Sequence, residues 1–365
     1  MKTRFIALMA GALLLATAAP AGADHAFSVT ATGTAFKLAL AGQELTLGFT
    51  DAGAQSAASD ACSQTVAVAC AAAAAAIEPF GTTVRVHAPG QEGPEQSTAL
   101  TIPEPLSQVV AADVAAARAV ARGLPEPRGL ANAGEAQVDL TLTQTLVENV
   151  PQTQETLQGI SDQLLGTVED TDPTGEVGGR IRGTIDAIID DLDSAPLATV
   201  TVGPSSSETV DANGVSSAVA AAQGAVVTVA PTPQQVLPAA PEALIILEVG
   251  AAKATATSDQ LTGTADFDPA LARLRVFNPT ANAYDEVEVA PGQGEQCAGV
   301  TPLVLCVTAG GGSVTRDGAA AAATASGVAV RLFEDPLPEV SLQLAVAEAG
   351  VNAAPPAVQP PPGPA

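Results

Sequence analysis

The chain has 365 residues, with 39 acidic against 14 basic side chains and a formal charge of −25 at neutral pH. A surplus of that sign repels nucleic acid and anionic lipid headgroups, because both are held by basic surfaces. At 47% hydrophobic content the sequence is no disordered polyanion, yet it has no Trp, one Tyr and eight Phe, so a core must rest on Ala, Val, Leu and Ile.

Residues 1–23 read as a secretory leader: Lys2 and Arg4, an uncharged run from Phe5 to Ala18, then Ala21-Gly22-Ala23. The run is too short to span a bilayer. Removing it takes Lys2 and Arg4 away and moves the formal charge from −25 to −27. The expected location is therefore secreted or extracellular, with cell-wall association. Even the most apolar later stretch, Ala67 to Ile77, is short and mostly Ala, so no membrane insertion of the mature chain is expected.

Residues 24–103 are read as an N-terminal β region. Phe27, Val29 and Ala31 alternate with Ser28, Thr30 and Thr32, while Leu45, Leu47 and Phe49 alternate with Thr46, Gly48 and Thr50. Gly42-Gln43 between the runs predicts a hairpin, and Thr82–His87 predicts one more strand. Cys62 and Cys70 lie here, and Cys297 and Cys306 lie far downstream. In an exported chain two close pairs predict local disulfides, each closing a loop of about ten residues and stabilising by about 2.6 kcal/mol. The competing zinc reading lacks Cys-x-x-Cys spacing and nearby His.

Residues 104–195 are read as a helical block. Leu106, Val109, Val110, Ala117 and Val120 fall roughly on one helical face, stopped by Gly123-Leu-Pro-Glu-Pro127. Two further faces, Leu157, Ile160, Leu164, Leu165 and Val168, then Ile181, Ile185, Ile188, Ile189 and Leu192, predict a helical hairpin joined through Asp172-Pro-Thr-Gly175. From Pro196 the pattern returns to β. Residues 196–352 are read as an antiparallel sandwich-like domain and 353–365 as a disordered Pro-rich tail. The expected class is thus mainly β with a helical block (α+β), antiparallel β-sandwich-like domains flanking a helical hairpin.

Three segments, Phe36–Gly48, Pro196–Ser205 and Val340–Val351, together resemble the secreted actinobacterial surface proteins called choice-of-anchor proteins. That resemblance implies Ala/Thr/Val-rich β domains at the cell surface and carries no catalytic residues with it. The sequence departs from that pattern in that no sorting pentapeptide, basic tail or final apolar helix follows the Pro-rich segment.

Candidate chemistry is sparse. His25 adjoins the expected new N-terminus, and Asp24-His25 offers an amine and an imidazole to copper. His87 ends a predicted strand, with no Gly-x-Ser-x-Gly elbow to present a serine. Asp190, Asp191 and Asp193, or Asp266 and Asp268, are close enough in sequence for glycosidase work, but the aromatic platforms that sugar sites use are missing. Asp170, Asp172 and Thr174 with Gly175 and Glu176 begin a calcium loop, whose twelfth position is Ile181 instead of Glu. The expectation is a non-catalytic surface or structural protein, adhesin-like, with an unknown envelope or extracellular component as partner and no cofactor. The alternatives are a calcium-assisted extracellular binding module and a secreted hydrolase around His87.

Overall fold

The computed structural model describes residues 26–40, 43–56, 70–78, 84–88, 95–97, 110–114, 117–122, 126–141, 159, 196–231, 242–278, 281, 283–300, 303–334, 337 and 339–354. Every element they form is a β-strand. The chain opens with β1 (Ala26–Leu40), β2 (Gln43–Gln55), β3 (Cys70–Glu78) and β4 (Val84–Ala88). It continues with β5 (Glu95–Ser97), β6 (Val110–Val114), β7 (Ala117–Arg122), β8 (Arg128–Ala133), β9 (Ala136–Thr141), β10 (Pro196–Val202) and β11 (Ser205–Ala212). Then come β12 (Val215–Ala222), β13 (Ala225–Pro231), β14 (Ala243–Val249), β15 (Ala252–Ser258), β16 (Gly263–Asp268), β17 (Ala272–Asn278) and β18 (Ala283–Val289). The last are β19 (Gln296–Val300), β20 (Leu303–Ala309), β21 (Gly312–Asp317), β22 (Ala320–Ala325), β23 (Val328–Leu332) and β24 (Val340–Ala354).

Three antiparallel sheets result. Sheet I has ten strands along the path β19-β20-β23-β24-β1-β2-β3-β4, with β22 also on β24 and β21 on β22. Sheet II runs β16-β15-β12-β11-β8-β7-β5, and sheet III runs β18-β17-β14-β13-β10-β9-β6. The shared order of II and III has a simple cause: a strand of one continues, after a short break, as a strand of the other. Such breaks are Gly203-Pro204, Gln223-Gly224 and Gly250-Ala251, laced by backbone bonds from Gly203 N–H to Gly224 O (2.8 Å) and from Gly250 N–H to Leu271 O (2.7 Å). Glycine is required at Gly224, where a Cβ would run into the Val249 carbonyl.

Each break shifts the inward phase by one residue. Ala198, Val200 and Val202 are buried on β10, but Ser205, Ser207 and Thr209 on β11. Sheet I bends in the same way at Ala345, at Gly48 with its positive φ, and at Ser326-Gly327. Inward residues therefore change from Val29, Ala31 and Gly33 to Phe36, Leu38 and Leu40 along β1.

This line divides the core into two unlike halves. On one side sheet I faces sheet II through Ala, Gly, Ser and Thr: Ala31, Ala52, Ala347 and Ala349 against Ala119, Ala218, Ala220 and Ala254. Facing Cα atoms come within 8 Å, against the roughly 10 Å usual for packed sheets. On the other side Phe36, Leu38, Leu45, Leu47, Leu305 and Leu332 of sheet I share one core cluster with Leu197, Ile245 and Leu247 of sheet III, and these nine are the largest fully buried side chains among the described residues. The first and last strands pair along their length, from Leu40 opposite Val340 to Ala26 opposite Ala354.

The expected α+β class is corrected to all-β among the described residues. The helix read over Leu106–Val120 gives way to β6 and β7, and along β7 burial alternates with a period of two: Ala117, Ala119 and Ala121 in, Arg118 and Arg122 out. Alanine favours helices in isolation, but cross-strand pairing of β7 with β8 overrides that preference. Strands from both ends of the chain share one core cluster. Apart from Gly159, the helices expected at 157–168 and 181–192, and the 172–175 connection, lie outside the described residues.

Candidate functional site

Cys297 and Cys306 stand directly opposite each other on β19 and β20, with Cα atoms 4.0 Å apart, and form a disulfide. Cys70 opens β3, while Cys62 lies outside the described residues. So do His25, the acids Asp190, Asp191 and Asp193, and the whole calcium loop Asp170, Asp172, Thr174 and Glu176. His87 sits on β4 opposite Ala72. Asp266 and Asp268 project from the exposed face of β16, opposite Thr255 and Lys253. That arrangement puts two exposed carboxylates on an open sheet face.

Sequence reading missed three charged groupings, each created by strand register. Around the disulfide, Arg331 donates to Cys306 Sγ (3.3 Å) and Glu295 Oε2 (3.5 Å), and approaches Glu334 (3.8 Å) and Glu339 (4.0 Å). Glu295 and the two sulfurs lie close enough to suit a metal, but sulfurs bonded to each other are not thiolate ligands. The grouping is a structural clasp.

On sheet III, Arg275 bridges Glu248 (3.2 Å) and Glu286 (3.4 Å) and lies 4.7 Å over the Tyr284 ring. Tyr284 stands edge-on to Phe277 and clips the start of β14: its hydroxyl donates to Ala243 O (2.7 Å) and accepts from Ala243 N–H (3.2 Å). Burial is the main cause that pushes this phenol above its ordinary 10.0. Among the described residues Arg275 Nε makes no hydrogen bond, yet every charge of this grouping meets an opposite one.

The third grouping is different. On the outer face of sheet II, β7 and β8 place Arg122 opposite Arg128, Val120 opposite Leu130, and Arg118 opposite Asn132. The arginines, Val120 and Leu130 line a shallow depression of about 150 Å³. Arg128 is paired with Glu208 on β11 at 2.6 Å. Like charges directly opposite destabilise a sheet by roughly 0.2–1 kcal/mol, so the Arg122–Arg128 row works against the fold that carries it. The signal for it in the sequence is the alternation of small and large residues in Ala-Arg-Ala-Val-Ala-Arg, followed by Arg-Gly-Leu-Ala-Asn-Ala after a Pro-rich turn.

No family model matches the chain, and neither does any curated protein. Among solved structures, the toluene transporter TodX of Pseudomonas putida overlaps at 9% identity and a TM-score of 0.14, covering 93% of this chain and 90% of that one. OpdO of Pseudomonas aeruginosa overlaps at 8% identity and 0.11, covering 90% and 97%. MucB in complex with MucA overlaps at 10% identity and 0.10, covering 90% and 89%. At such scores the likeness carries no argument about fold or function.

Proposed function

We propose that this chain is an exported, non-catalytic structural component of the cell surface or its surroundings. The observation that carries the reading is the doubly closed architecture: sheets in backbone-level proximity through small residues, clasped by pairing of the first strand with the last. Among the described residues such packing leaves few loosely packed segments for local opening, the property that an extracellular scaffold exposed to proteases requires. The leader at residues 1–23 and the oxidised Cys297–Cys306 pair both support export, since disulfides persist in oxidising compartments. The charge, near −27 without the leader, supports solubility of an Ala- and Val-rich chain outside the cell.

Fractionation with intact-mass measurement tests the proposal. The expected result is mature chain in medium or envelope fractions, starting near Asp24, with Cys297 and Cys306 joined. Recovery from cytosol with Met1 present and thiols reduced would overturn it.

A further inference from the structure

The arginine rows on β7 and β8 point to a ligand. Lys37 reaches Glu44, Arg273 and Arg275 reach Glu248, Arg331 reaches Glu295, and Arg316 donates to the Ala265 carbonyl. Arg118 and Arg122, both exposed, have no such partner among the described residues. A chain with 14 basic side chains in 365 residues thus gathers three of them in one hairpin and leaves two of those three without an ion-pair partner among the described residues.

Register fixes the arrangement. The guanidinium row Arg122–Arg128 is followed by the apolar row Val120–Leu130, then by Arg118 and Asn132. Residues 118 and 122 lie four positions apart on one strand, so the outer rows are separated by about 13 Å. Val120 and Leu130 are half-buried and form an apolar floor between two polar ends.

We propose that this ladder binds a small, extended anion with an apolar middle. A carboxylate or phosphate head sits between Arg122 and Arg128, the apolar body lies over Val120 and Leu130, and a second polar end meets Arg118 and Asn132. Guanidinium groups suit the head because their paired N–H donors match the geometry of both oxyanions. Charge limits the size of the ligand. Beyond a screening length of about 8 Å from the patch, a long polyanion meets the negative remainder of the protein, whereas a compact anion stays within reach of the arginines. Glu208 is the built-in competitor, because its carboxylate already holds Arg128. The inference stands apart from the location and the structural role proposed above.

Calorimetric titration of the full mature chain with sebacate, succinate and octyl phosphate, at low and at physiological ionic strength, tests the site. Sebacate, whose extended length matches the ladder, binds saturably and more tightly than succinate, and salt weakens it. Arg122→Gln and Arg118→Gln each weaken sebacate by about tenfold, the loss of one charge-assisted hydrogen bond. Glu208→Gln tightens it by freeing Arg128, and Arg273→Gln on sheet III leaves it unchanged. If octyl phosphate binds tighter than sebacate, with the same dependence on Arg122, the head group between Arg122 and Arg128 is phosphate and the second polar contact at Arg118 and Asn132 is overturned. Thermal melts of each variant establish that it is folded. No saturable heat with any probe, or equal affinity in folded Arg122→Gln and parent, overturns the proposal.

Discussion

One glycine reports directly on the spacing of the sheets. Gly33 lies on the inward face of β1, and a Cβ built there would meet Thr50 Oγ1 at 2.8 Å, Ala221 O at 3.2 Å and Ser206 O at 3.3 Å. The last two are backbone atoms of sheet II and cannot rotate away. Thr50 is also committed, since its hydroxyl pairs with Ser207 Oγ at 2.8 Å across the interface. Gly33→Ala must therefore push the sheets apart by a few tenths of an ångström or break that hydroxyl pair, and overpacking of this kind costs about 1–3 kcal/mol. Gly53, on the outward side of β2, is the control. Its Cβ would meet only Val29 O at 3.7 Å, an ordinary contact. Gly53→Ala is expected to stabilise by about 0.4–1 kcal/mol through the unfolded chain. In thermal or urea unfolding the two variants shift in opposite directions, by about 1–2 °C per kcal/mol for a chain of this length. A Gly33→Ala variant at least as stable as the parent would refute the close approach of sheets I and II.

Other expectations follow from the same contacts. Leu332→Ala, in the half filled by large side chains, should cost about 2–5 kcal/mol by leaving a cavity, visible as a lower urea midpoint. Thr209 is fully buried and its hydroxyl finds no partner among the described residues, so Thr209→Val should stabilise by about 1 kcal/mol. Replacing both Cys297 and Cys306 by Ala should cost about 2.6 kcal/mol by the chain-entropy argument, with the added loss of the Arg331 contact. The phenol of Tyr284 is raised above 10.0, chiefly by burial, so its contribution is fully present below pH 10 and is lost as pH rises through the raised value. Tyr284→Phe should flatten the alkaline fall in melting temperature, and because the chain has one Tyr, ultraviolet titration reads that phenol alone.

What the sequence discloses depends on contrast between the two faces of a strand. The β1–β2 hairpin around Ala41-Gly42 was legible because Leu45 and Leu47 alternate with polar neighbours, and the same holds for Leu197–Val202 and Val328–Leu332. In β3, with its run of Ala71 to Ala76, and in β22, with Ala320 to Ala323, both faces carry alanine and the period disappears. Only the register reveals it: Ala74 lies against Asp51, and Ala323 against Ala349. In β7 the same masking by alanine let a helical reading pass, and with it went the opposition of Arg122 to Arg128, which exists only once the hairpin is paired.

The small-residue half also decides where chemistry can reside. Between sheets I and II the space is filled by Ala side chains and by hydroxyls bonded to the opposite backbone, such as Ser207 to Thr50 O at 3.1 Å and Ser205 to Gly48 O. Among the described residues, an interface whose facing Cα atoms come within 8 Å has its space taken up by these side chains. Enlarging it would cost the close packing that closes the body. Functional side chains on these strands must then project outward, where burial shifts few pKa values and affinity has to come from charge and register. The arginine ladder is what such a constraint permits: its three rows need no cavity, only the alternation that sends Ala119 and Ala131 inward and Arg122 and Arg128 out.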